Sequence, residues 1–179
     1  MQTKTKLISK ILASTILFSA LAPQESQIAQ EALLSRFLLR RPCVNTGIGN
    51  WDRRREDVSV NKAVYTSRFF MGPGDRSASM TCRLQPNEAG VIFQNLKLSF
   101  GMRDNDLRSP GATVNLYIDG VQTQSQSVTP GGRAGSMLQD VTNARNVAIE
   151  VICSNQSQYC DRVYFWEAEL EYPPLPPQQ

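Results

Sequence analysis

From Asp57 onward, apolar side chains recur at every second position, the period of a strand that buries one face. Val58 and Val60, followed by Ala63-Val-Tyr-Thr, predict an early strand pair. Phe69-Phe-Met71 predicts a strand that stops at Gly72-Pro-Gly-Asp75, a strong turn sequence. In the next run, Ala78, Met80, Cys82 and Leu84 share a face, and Pro86-Asn-Glu-Ala-Gly90 reads as a loop. Leu96, Leu98 and Phe100 oppose Lys97 and Ser99. Val114, Leu116 and Ile118 lead into Asp119-Gly120, which predicts a tight two-residue hairpin because both central residues need positive φ. Val147, Ile149, Val151 and Cys153 alternate with Ala148, Glu150 and Ile152. Tyr164, Trp166, Ala168 and Leu170 alternate with Glu167, Glu169 and Glu171, so the last strand is expected to be apolar on one face and acidic on the other. Gln122, Gln124 and Gln126 alternate with Thr123, Ser125 and Ser127, the pattern of an exposed edge strand that is polar on both sides.

About eight such strands, with turn sequences between them and no convincing helix after Pro42, predict an all-β sandwich or barrel. The chain of 179 residues suits one folded domain with tails, placed here at 57–172. Residues 1–22 read as a signal peptide. Lys4, Lys6 and Lys10 precede an apolar run from Ile11 to Ala22, which ends in the small-x-small pattern Ala20-Leu-Ala22. Pro23 disfavours cutting directly after it, and the run falls short of the about 20 residues a spanning helix needs. Secretion, or residence in the periplasm or cell envelope, is the expectation, with membrane contact only through an uncleaved signal. Residues 23–56 read as a flexible basic leader, in which Ala32-Leu-Leu-Ser-Arg-Phe-Leu-Leu39 suggests one or two helical turns. Arg36, Arg40, Arg41 and Arg53-Arg-Arg55 in it suit contact with an anionic polymer or membrane surface, or simply a solvated leader. Residues 173–179 form a proline-rich tail that cannot pair in a sheet.

The net charge of +3 is too mild for a dedicated nucleic-acid binder, so no nucleic-acid partner is expected. Histidine is absent, which excludes His-dependent nucleophiles, His general bases and His metal ligands. Four cysteines in an exported chain suggest disulfides. Cys153 and Cys160 flank a short polar loop, where a bridge is geometrically easy, and this leaves Cys43 with Cys82. No Cys-x-x-Cys knuckle supports a zinc site.

Four segments in order, Leu98-Ser-Phe-Gly-Met-Arg-Asp-Asn-Asp106, Tyr117-Ile-Asp-Gly120, Asp140-Val-Thr-Asn143 and Trp166-Glu-Ala168, resemble the NPCBM family of carbohydrate-binding modules. The family's Trp-Ala pair is split here by Glu167, and Phe165 stands where an acidic residue is usual. The resemblance implies a galactose-binding-like jelly-roll β-sandwich and extracellular carbohydrate binding.

Sugar recognition needs an accessible aromatic face for the C–H side of the ring and planar polar groups for its hydroxyls. The candidates are Trp51, Asp104, Asn105, Asp106, Arg108, Tyr117 and Tyr159. Trp51 suits exposed stacking or cover of a sandwich edge, whereas the alternation places Trp166 in the core. Asp104 and Asp106 offer oxygens for a structural Ca2+, or side-chain caps for a turn. The glutamine strand reads as a solvated edge or a track for an extended glycan. No acid–base pair stands out, so binding without catalysis is expected. The alternative is an envelope or matrix protein with a structural or protein-binding role.

Overall fold

The computed structural model describes residues 33–85 and 91–174. The expected signal peptide, the loop 86–90 and the end of the proline-rich tail lie outside the described residues. Strand β1 (Leu34–Phe37) leads into a single 3-10 turn (Leu38–Arg40), then β2 (Cys43–Asn45), β3 (Asn50–Asp52), β4 (Glu56–Val60) and β5 (Ala63–Ser67). They are followed by β6 (Phe69–Gly72), β7 (Ser77–Arg83), β8 (Asn95–Gly101), β9 (Ala112–Ile118) and β10 (Val121–Val128). The chain continues through β11 (Gly135–Asp140) and β12 (Asn146–Cys153) to β13 (Val163–Tyr172).

The strands form two large antiparallel sheets and a separate two-stranded hairpin, β4–β5. One large sheet runs β11-β8-β13-β6-β3, with β1 also on β13, and the other runs β10-β9-β12-β7-β2. Their apolar faces meet in one core. Met80, Cys82, Val114, Leu116, Ile149 and Val151 come from the second sheet, and Phe69, Met71, Leu96, Leu98, Phe100 and Leu170 from the first. Each such side chain contributes about 1.5–3 kcal/mol through burial.

The segment read as a flexible leader belongs to this sandwich from residue 33 onward. β13 pairs with β8 on one side, while β6 covers only Val163 to Phe165 on the other. β1 pairs with the C-terminal part of that edge, with Leu34 opposite Tyr172 and Phe37 opposite Glu169. Leu38 and Leu39 then turn into the core and are fully buried. Helical geometry in this segment is limited to the single turn 38–40. β2 and β3 extend β7 and β6.

The face of Trp166 also differs from expectation. The register of β13 on β8 slips between Phe165 and Glu167, so Trp166 is the extra residue of a bulge. Val163, Phe165, Ala168 and Leu170 face the main core, while Tyr164 and Trp166 share the other side of the sheet. There the β4–β5 hairpin covers them. Val58, Val60, Phe70 and Tyr164 form a second small core, and Tyr65 stacks on Trp166 with ring centroids 4.1 Å apart. Gly101, opposite Tyr164, makes room for this hairpin: a Cβ there would lie 2.7 Å from Val60 Cγ1.

The Asp119-Gly120 hairpin forms as expected, with φ of 47° and 85°. β10 is an edge strand, yet its glutamines are engaged. Gln124 Nε2 donates to the Leu138 carbonyl at 2.7 Å, and Gln126 Oε1 accepts from the Ser136 amide at 3.1 Å. Both groups belong to the outer edge of β11. Gln122 donates to Asn115 Oδ1 on its own sheet at 3.4 Å.

Both expected disulfides are present. Cys43–Cys82 joins residues 39 apart in sequence, and Cys153–Cys160 joins residues 7 apart. Chain-entropy reasoning gives about 4 kcal/mol for the first and about 2 for the second. Urea denaturation should therefore show a larger loss for Cys43→Ala with Cys82→Ala than for Cys153→Ala with Cys160→Ala. In the same assay Phe165→Ala should cost about 3–5 kcal/mol by opening a cavity between stacked rings.

Candidate functional site

At one end of the sandwich, the Cys153–Cys160 loop is fastened to two neighbouring segments. The Cys160 amide donates to the Gly74 carbonyl at 2.7 Å, and the Cys153 amide to Arg76 at 2.8 Å. The Ser154 amide donates to Gly111 at 2.9 Å, and the Asp161 amide to Ser109 Oγ at 2.8 Å. Inside the loop, Asn155 Oδ1 accepts from the Ser157 amide and hydroxyl at 3.1 and 2.7 Å. These bonds fasten the loop and present Tyr159 at its end, directly before Cys160.

Tyr159 is 69% exposed, and it is the one aromatic among the exposed large hydrophobic side chains of the described residues. It borders an open depression of about 320 Å³ with Ile48, Asn50, Pro73 and Asp75. The floor is glycine. Gly49 approaches the β6–β7 turn so closely that a Cβ would lie 2.5 Å from the Gly72 carbonyl oxygen. Gly74 has φ of +63° and lies against the edge of the Tyr159 ring, with a Cβ there falling 3.7 Å from Cε2. An aromatic face, an amide and a carboxylate therefore surround a shallow, solvent-facing bowl. Ile48, Asn50 and Asp75 were not singled out by sequence reasoning. Their visible signals were the glycines around Ile48 and the Gly72-Pro-Gly-Asp75 turn.

The other candidates lie elsewhere. Asp104 follows β8 and reaches the β4–β5 turn, where it accepts from the Asn61 amide at 2.7 Å, the Lys62 amide at 2.9 Å and the Ser59 hydroxyl. Asn61 and Lys62 both sit in the left-handed region, at φ of 52° and 66°. Asp104 thus fixes a turn that non-glycine residues adopt at some cost. The Ser59 hydroxyl and the two amides hold its carboxyl below the usual range. Asp106 is buried and gripped by the Arg103 fork, at 3.0 and 3.2 Å. Asp161 nearby is pushed up, first by burial and then by the Asp106 charge. Asn105 and Arg108 are exposed beside them.

Among the described residues no three His, Cys, Asp or Glu side chains are gathered as metal ligands. Calcium takes 6–8 oxygens. Asp104 and Asp106 do not fit such a cage, since each is occupied by its own protein donors.

Trp51 pairs with Met71 in β3 and is half-buried against the main core, which withdraws it from the role of an open platform. Tyr117 lies on the outer face of the β9 sheet. Its hydroxyl donates to Glu150 Oε2 at 2.7 Å, a bond that raises its pKa. It borders a separate depression of about 340 Å³ with Ser79, Ala148 and Glu150.

Asp104→Ala should speed amide exchange at Asn61 and Lys62 while leaving the exchange of β9 and β12 unchanged. Because folding lowers the Asp104 pKa, its anchoring of the turn is complete above the ordinary carboxylate range and fades as pH falls through that range toward the lowered value. Wild-type exchange at the same two amides, corrected for intrinsic pH dependence, should rise over that acidic interval and nowhere above it.

No protein-family model and no curated protein matches the chain. Solved structures do match. CBM51-2 of Clostridium perfringens ZmpB, solved with GlcNAc and INT domains, superposes with a TM-score of 0.63 at 12% identity, over 77% of this chain and 31% of that one. The CBM51 of Clostridium perfringens GH95, solved with methyl-galactose, gives 0.58 at 12% identity, over 76% of this chain and 99% of that one. The tandem CBM51 modules of a family 98 glycoside hydrolase from Streptococcus pneumoniae give 0.61 at 12% identity, over 83% of this chain and 50% of that one. The chain thus spans about a third of the first chain, half of the third and nearly all of the second. The fold is a jelly-roll β-sandwich of the galactose-binding-like type.

Proposed function

We propose that the protein is an exported, non-catalytic carbohydrate-binding module that takes a glycan in the bowl beside Tyr159. The observation that carries this reading is Tyr159 itself, an accessible aromatic ring on a loop immobilised by a disulfide and by backbone bonds to two neighbouring segments. A sugar stacks its C–H face on such a ring, and the rigid loop spares the ordering entropy that a mobile one would lose. Asn50 and Asp75 supply donors and acceptors for ring hydroxyls at the rim. The shared fold with modules solved with GlcNAc and methyl-galactose supports a monosaccharide or a glycan end as ligand. The sequence resemblance to NPCBM points the same way. The two disulfides suit the oxidising compartment that an exported protein meets. Binding without turnover accords with a chain that lacks histidine.

The test is a glycan array with the full oxidised chain, followed by titration of the best ligands. Tyr159→Ala should weaken binding about tenfold or more, while Tyr159→Phe, which keeps the ring, should stay within about threefold. Thermal unfolding of both variants should match wild type, since the ring is solvent-exposed. Absence of binding to any neutral glycan, or equal binding by Tyr159→Ala, would overturn the reading.

A further inference from the structure

Two arginine clusters that are separate in sequence converge on the surface around Phe37. Arg36 and Arg40 come from β1 and the turn after it, Arg55 precedes β4, and Arg68 joins β5 to β6. They line two adjoining depressions of about 460 and 430 Å³ that share Phe37 and Arg68. Depressions of this size hold small ligands or single units of a chain. The lining carries four guanidiniums and one carboxylate, Glu169, and that carboxylate is neutralised by Arg68 in an ion pair.

The guanidiniums are arranged in two ways. Arg68 lies 3.6 Å from the Phe37 ring centroid, and Arg36 lies 5.9 Å from that of Tyr172. Stacking on a ring and pairing with a fixed carboxylate remove rotamer freedom before any ligand arrives. Arg40 and Arg55 are exposed, and among the described residues neither takes part in an ion pair. A net positive groove with fork-shaped donors on both sides of a shared ridge matches a thin chain that bears regularly spaced planar or tetrahedral anions.

We infer that this groove binds an acidic polysaccharide, one whose sugars carry carboxylates or sulfates, through Arg40 and Arg55 on either side of the Phe37–Arg68 ridge. A single-stranded nucleic acid is held by open aromatic faces on which its bases stack, and Arg68 covers Phe37. A bilayer surface is flat, and charges set within depressions meet it poorly. This site is distinct from the Tyr159 bowl and does not rest on that assignment.

The experiment is affinity electrophoresis and calorimetry of the full oxidised chain with polygalacturonate and heparin, against neutral dextran, at low and physiological ionic strength. Single-stranded DNA and phosphatidylglycerol vesicles are run in parallel. Wild type should bind one of the two acidic polymers and not dextran, with affinity falling as salt rises. Arg40→Ala with Arg55→Ala should weaken this about tenfold or more, and Tyr159→Ala should leave it unchanged. Circular dichroism should show both variants folded, because Arg40, Arg55 and Tyr159 are all exposed. Failure to bind either acidic polymer, undiminished binding by the double variant, or tighter binding to DNA or vesicles would overturn the inference. A loss of neutral-glycan binding in Tyr159→Ala has no bearing on it.

Discussion

One extra residue in the central strand organises the molecule. β13 has neighbours along both edges, so a register slip within it is felt on both faces of its sheet. The slip at Trp166 keeps Phe165 and Ala168 pointing into the main core, although they are three residues apart. It also leaves Trp166 and Glu167 together on the opposite side. Glu167 is fixed there by the Ser99 hydroxyl and by Lys97 at 3.0 Å, and these partners, Ser99 foremost, hold its carboxyl below the usual range. Trp166 and Tyr164 form an apolar patch on what would otherwise be a solvated face. The β4–β5 hairpin exists as a packed element because that patch is present.

Much of this architecture is written in the alternation of side chains. β7, β8, β9 and β12 bury the residues that their period of two assigns to one face. Asp119-Gly120 encodes its turn through backbone sterics that act locally. The bulge is different. A single inserted residue changes neither composition nor overall pattern, and its position depends on which residues of β8 lie opposite. Short strands are also hard to read. β1, β2 and β3 hold three or four residues each and lie among arginines. What makes them strands is the vacancy beside β13, β7 and β6, which no local property of residues 33–56 announces.

The candidate site was legible only in part for a related reason. Tyr159 stands next to a cysteine in a polar loop, so its exposure follows from the sequence. Its companions come from two other segments brought near by the close approach of Gly49 to Gly72. The acidic loop after β8 misleads in the opposite direction. Asp104 and Asp106 look like ligands for an ion, yet one secures a strained turn and the other is a buried carboxylate balanced by the Arg103 guanidinium. A polar residue's chemistry can be read from its identity, but the partner that uses it is set by the fold.

The glutamines of β10 have a consequence for life at high local concentration. The two sheets end side by side at β10 and β11, and an open sheet edge is a template on which another chain can add a strand. Gln124 and Gln126 occupy the outward carbonyl of Leu138 and the outward amide of Ser136 with side-chain groups of matching polarity. An approaching strand would have to displace bonds already made within the molecule. The sandwich thereby gains some of the protection of a closed barrel without closing its backbone, and copies of it can be concentrated with a reduced tendency to fuse through this edge.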